Sequence, residues 1–150
     1  TFAVVSGVAG AALSTRVILI LGFANLLADG FSMGASNFLS KRTGMKASER
    51  PSVGEASRHG SATFLGFVIA GFMPLLAYLI PGITGNRFLL AVGLALLTLF
   101  VVGASRAFFS EARWLRAGLE MFLIGALAAA VAYGIGALGA YFVDAPTAAV

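Results

Sequence analysis

Cysteine is absent from this chain, histidine occurs once, and Asp, Glu, Lys and Arg together make up only 11% of its 150 residues. The first absence excludes disulfides and thiolate metal sites, and leaves the redox compartment unreadable. The shortage of charge excludes more. A soluble domain carries about 25% charged residues, and a chain with so few cannot cover a water-facing surface. A nucleophile–base arrangement and a phosphate-binding loop are also missing, so the sequence is not read as an enzyme.

What is present is apolar. Hydrophobic residues make up 59% of the chain, and the mean hydropathy is +0.97. Residues 17–40 carry a single charge, Asp29, whereas 60–86, 88–105 and 121–143 carry none. A helix crosses a bilayer with about 20 apolar residues. These intervals predict an all-α polytopic membrane protein, one domain over 1–150, with complete transmembrane helices near 17–39, 61–80, 88–109 and 117–143. The opening "TFAVVSGVAGAALST" is also uncharged. At 1.5 Å per residue it reaches only about 22 Å, short of the ~30 Å hydrocarbon core. The expectation is a partial helix over about 1–14, a fifth helix that has lost its beginning. A signal peptide fits worse, because a basic n-region is missing.

The net charge is +4 and the pI near 10.1, but the basic residues do not form a nucleic-acid face. Lys41, Arg42, Lys46, Arg50 and Arg58 fall in the connection 41–60, and Arg106, Arg113 and Arg116 in 106–116. If the helices alternate, both connections lie on one side, opposite Arg16 and Arg87. The positive-inside rule makes that side cytoplasmic. Nucleic acid is therefore not expected as a partner, and Trp114 fits an interfacial anchor. Gly30 and Gly34 form a GxxxG pattern that suits close helix packing, as do Ala128, Ala132, Gly136 and Ala140. Pro74, inside the predicted third helix, should kink it or free a backbone carbonyl.

The second helix holds "NLLADGFSMGASN". Residues four apart lie about 40° from one another on a helix, so Asn25, Asp29 and Met33 form a line. Ser36 and Asn37 continue it, and Ser32 flanks it. Leu19, Phe23, Leu27, Phe31 and Phe38 occupy the rest. Lipid cannot satisfy such a stripe, so other helices or water must. Asp29 falls near mid-span, where a charged side chain costs about 2.5–3.5 kcal/mol on insertion scales. Such acids pair, bind ions or carry protons; the structural reading is a protonated carboxyl bonded across a helix interface. A thioether beside a carboxylate favours softer transition metals over Mg²⁺ or Ca²⁺. One helix cannot encircle an ion, so other helices or a second subunit must complete the site. Glu120, about one turn into the last helix, either snorkels or pairs with Arg116, or serves as an ion-entry group. Met121 points about 100° away from it.

"TFAVVSGVAGAALS", "LGFANLLADGFSMGASNFLS" and "GLEMFLIGALAAAVAYGIG" resemble the first, second and fifth helices of the vacuolar iron transporter family. "FVIAGFMPLLAYLIP" resembles its third. The resemblance implies a five-helix membrane protein that works as a homodimer and exports Fe²⁺, and often Mn²⁺, from the cytosol in exchange for protons. The metal is then substrate, and no permanently bound cofactor is expected. Family transport residues correspond to Asn25, Asp29 and Met33, with Ser32, Ser36 and Asn37 beside them. Two departures stand out. The family's first-helix Asp would lie just before Thr1. The large cytoplasmic metal-binding domain that eukaryotic members insert after the second helix is replaced by about 20 residues, in which Met45, Glu49, Glu55 and His59 are too sparse to substitute for it. The short connection points to a prokaryotic cytoplasmic membrane. The rival readings are a non-transporting scaffold or subunit, whose stripe only glues helices, and a small proton-coupled exporter of organic cations.

Overall fold

The computed structural model describes residues 1–43, 51–81, 86–108 and 113–144. Five helices follow one another: α1 (Phe2–Gly10), α2 (Thr15–Arg42), α3 (Val53–Leu79), α4 (Arg87–Ser105) and α5 (Trp114–Asp144), with a 3₁₀ turn at Arg106–Phe108 after α4. The helices Thr15–Arg42, Val53–Leu79, Arg87–Phe108 and Trp114–Val143 are each long and apolar enough to cross a membrane. The fold is all-α, with four spanning helices and a shorter one at the N-terminal end.

The ends of these helices differ from the hydropathy reading for a physical reason. Hydropathy marks only the part of a helix that sits in hydrocarbon, whereas hydrogen bonding carries it on into the interface. α3 starts at Val53 because the Ser52 hydroxyl accepts from the Glu55 backbone N–H at 3.1 Å, capping an orphan donor. That is eight residues before the expected 61. α2 runs on to Arg42, with Lys41 and Arg42 in its last turn, where cations suit the negative helix end. Lys41, Arg42 and Arg58 are therefore helical, not part of a loop over 41–60. Arg106 and Arg116 are likewise placed in the 3₁₀ turn and in α5. Met45, Lys46, Glu49 and Arg50 lie outside the described residues. α4 is capped by Asn86, whose side chain accepts from Leu89 N–H at 3.2 Å.

α1 reverses into α2 through a tight turn. Ala12 takes φ 54°, and the Ala12 and Leu13 amides donate back to the carbonyls of Ala9 and Val8 at 3.0 and 3.2 Å. α2 then packs antiparallel on α3. Leu75 fills the space over Gly22, and Leu26 fills that over Gly71; both leucines are fully buried. Further along, Gly34 meets Gly60 backbone to backbone. α5 runs back along α4, with Gly103 against Ala117 and Met121. α1 closes the bundle by packing chiefly on α5, where Gly7 and Gly10 meet Ala132 and Tyr133. The best-packed core, Val5, Ile18, Leu26, Leu75 and Tyr78, gathers toward the end of the bundle that carries Arg16 and Arg87.

Candidate functional site

α2 carries the polar stripe and α3 fixes its direction. Gly30 faces Phe64 and Phe67, and Gly34 faces Gly60, so the small-residue face of α2 is spent on α3 within the same chain. Asp29 is one residue, about 100°, from Gly30, and this turns it out of the seam. Asp29, Ser32, Met33 and Ser36 are exposed on the surface of the single chain, and Asn25 and Asn37 are half-buried. The Asn25 Nδ2 donates to Asp29 Oδ2 at 2.6 Å. That bond fixes one carboxylate oxygen and leaves the other to face outward. Ser32 Oγ reaches the Asp29 backbone carbonyl at 3.4 Å, and so holds to its own helix.

Asn37 is separated from this group. Its Nδ2 donates to Thr63 Oγ1 at 2.6 Å, and the Thr63 hydroxyl in turn donates to the His59 carbonyl at 3.0 Å. The chain Asn37–Thr63–His59 ties α2 to α3. Glu120 also lies apart. Its Oε1 accepts from Arg116 Nε at 3.1 Å on an exposed face of α5. Its neighbour Met121 faces inward instead.

Met33 borders a cavity of about 630 Å³ that abuts the N-terminal end of α1. Its walls include Thr1 and Phe2 of α1, Thr63 and Gly66 of α3, Thr98 of α4, and Met121 and Gly125 of α5. The lining is mostly apolar, with a few oxygen and sulfur donors. Thr1 Oγ1 is buried there without a hydrogen-bond partner among the described residues. Pro74 and Ala70 also line it. Pro74 has no N–H, so the Ala70 carbonyl four residues earlier lacks its regular i+4 partner. The α1 end and Met33 thus meet at one depth of the bundle. Among the described residues no group of three or more His, Asp or Glu side chains comes together as a metal site.

Met121 and Thr98 were missed by the sequence reading. Met121 turns away from Glu120 by about 100°. Its place on the line of Gly118 and Gly125, both packed against α4, was the available signal. Thr98 bonds its own helix at Leu94 O, 2.7 Å, and leaves no mark in hydropathy.

The model of the VIT family matches residues 1–50 and 42–137. The chain belongs to the VIT family. The two matched segments meet in the connection between α2 and α3. A vacuolar iron transporter 1 from Oryza sativa is 33% identical over 87 residues, 58% of this chain and 34% of that protein. The Eucalyptus grandis protein of the same name is 26% identical over 58% of this chain and 35% of its own length. That of Arabidopsis thaliana is 29% identical over 57% and 34%. The chain spans about a third of the length of these relatives. Membership of this family and four apolar spanning helices make it an integral membrane protein of a metal-ion transport family.

Proposed function

We propose that this chain carries Fe²⁺, and also Mn²⁺, out of the cytosol in exchange for protons. The observation that carries this reading is the exposed Asp29 carboxylate at mid-span, held by Asn25 and lying one turn from the Met33 thioether. A charged group on the outside of a single spanning chain needs a covering partner, since lipid does not solvate it. A second copy that packs stripe to stripe provides one, and doubles the donors: two carboxylates and two thioethers around one path. The oxygen supplies charge, and the sulfur supplies preference for softer divalent ions. Ser36, exposed on the same line, replaces part of the lost hydration. Metal and proton compete for the same carboxylate, so a proton entering from the far side releases the metal.

We place the basic connections on the cytosolic face, in the cytoplasmic membrane of a prokaryote. Glu120, tied to Arg116, is left off the path.

The scaffold reading draws on one observation, the Asn37–Thr63 bond, in which a stripe residue acts as glue. Fe²⁺ flux into proteoliposomes separates the readings. Flux that falls in Asp29→Ala and Met33→Ala supports transport through this site. Absence of metal flux from the full-length protein would sink the transport reading, and organic-cation flux in its place would favour the third reading.

A further inference from the structure

On the side of α2 opposite Asp29, a groove of about 370 Å³ runs along the seam with α3. Its walls are Phe31, Ala35 and Phe38 on α2, and Ser57, Ser61 and Phe64 on α3; Gly34 and Gly60 form the floor. By helix geometry Phe31 and Phe38 lie about 160–180° around α2 from Asp29. A copy packed on the polar stripe would border one wall of this groove, since Phe31 and Ala35 also line a hollow with Ser32 and Ser36, and would leave the α3 wall uncovered.

The end of the groove is basic. Arg42 lies four residues beyond Phe38, on the same side of α2, with its Cζ 5.9 Å from the Phe38 ring centroid. Lys41 precedes it. From the facing wall Arg58, exposed, adjoins Ser57 and lies one turn from Ser61. The nearby acid Glu55 lies about 160° around α3 from Ser57, but only about 60° from Arg58, three residues on. Arg58 and the Ser57 and Ser61 hydroxyls have no hydrogen bond or ion pair among the described residues. An apolar trough thus lies beside the Arg42 guanidinium, with Arg58 about 100° around α3 from the Ser57 wall.

We propose that this groove is a site for one anionic phospholipid, with an acyl chain laid between Phe31, Phe38 and Phe64 and its phosphate on Arg42 and Arg58. Arg42 is held over Phe38 and suits a phosphate's geometry as a fork of donors. Ser57 and Ser61 line the α3 wall where ester oxygens would pass. The charge complementarity selects an anionic head group over a zwitterionic one, and the depth of the trough selects a lipid over free phosphate. Nothing in the assignment depends on transport.

The test uses the chain reconstituted in phosphatidylcholine vesicles with a trace of chain-spin-labelled phosphatidylglycerol or phosphatidylcholine. Electron spin resonance reads the motionally restricted fraction of each probe. We expect phosphatidylglycerol to be the more restricted, with its preference falling about fivefold for each of Arg42→Gln and Arg58→Gln, the equivalent of ~1 kcal/mol per basic side chain at a membrane surface. Arg113→Gln, on the same membrane face but away from the groove, should leave the preference unchanged. Ala35→Trp, which fills the trough and keeps the cations, should reduce restriction of both probes. Equal restriction of the two probes by the unaltered chain would overturn the proposal, and that comparison needs no variant. So would a loss in Arg113→Gln as large as in Arg42→Gln, which would mean a diffuse surface charge. The chain has no native cysteine, so Ser61→Cys, on the exposed α3 wall of the groove, is a clean probe. Cross-linking between two such chains would put a second copy in the groove and also overturn it.

Discussion

Gly34 and Gly60 stand backbone against backbone, so that a Cβ on either would come within 2.8 Å of the other's carbonyl oxygen. A backbone oxygen cannot swing aside as a side chain can. Gly34→Ala gains about 1 kcal/mol in helix propensity and loses about 1–3 kcal/mol to overpacking. The net expectation is destabilisation by about 1 kcal/mol in a denaturant titration in mixed micelles. Gly93→Ala, where nothing lies within 4 Å of the new Cβ, should shift the same titration the other way. Two shifts of the same sign would contradict the close contact.

Asn25 and Asp29 give a test of the transport site. Removing the amide that fixes the carboxylate should act like the loss of an outer-shell partner, weakening apparent Fe²⁺ affinity about 10–100-fold in Asn25→Leu, with the maximal rate less affected. Initial rates of flux against metal concentration give both quantities. An unchanged affinity would show that the Asn25–Asp29 bond only orders the helix.

Asn37 should behave as glue. A double-mutant cycle of Asn37→Val and Thr63→Val should give a coupling of about 0.6–1.7 kcal/mol, the range for interhelical bonds in membranes. Metal affinity should change less than about twofold, since no ligand is lost. A large affinity loss with no coupling would return Asn37 to the transport path.

Glu120 and Arg116 form an exposed i,i+4 pair, of a kind worth about 0.3–0.5 kcal/mol. Glu120→Gln should therefore leave unfolding nearly unmoved. Fe²⁺ flux should also stay within about twofold, because no metal contact is removed. A strong loss of flux with intact stability would reinstate Glu120 as an entry ligand.

Ala12 occupies the left-handed region, φ 54°, which costs a residue with a Cβ about 1–2 kcal/mol. Glycine relieves that strain but loses more chain entropy on folding. Ala12→Gly should raise stability by up to about 1 kcal/mol, visible as a higher unfolding midpoint in micelles. A lower midpoint would exclude the left-handed turn between α1 and α2.

The four spanning helices were legible because charge-free runs and bilayer thickness leave little choice, and the stripe was legible because 100° per residue puts Asn25, Asp29 and Met33 in line. Helix ends were less so. Ser52 capping through the Glu55 amide extends α3 through residues too polar to register as membrane. Partner choice was not legible at all. That Gly34 meets Gly60, that Asn37 finds Thr63 and that Met121 reaches the cavity depends on which helix lies alongside, and periodicity on one helix carries no information about its neighbour.

The pairing of α1 with α5 sets an order of events. α2 with α3, and α4 with α5, are neighbours in sequence and can fold as hairpins while the chain is still being made. The glycine face of α1, Gly7 and Gly10, waits for Ala132, Tyr133 and Gly136, which are synthesised more than a hundred residues later. Until then that face has only lipid against it. Completion of α5 is therefore the step that converts two inserted hairpins and a loose first helix into one body.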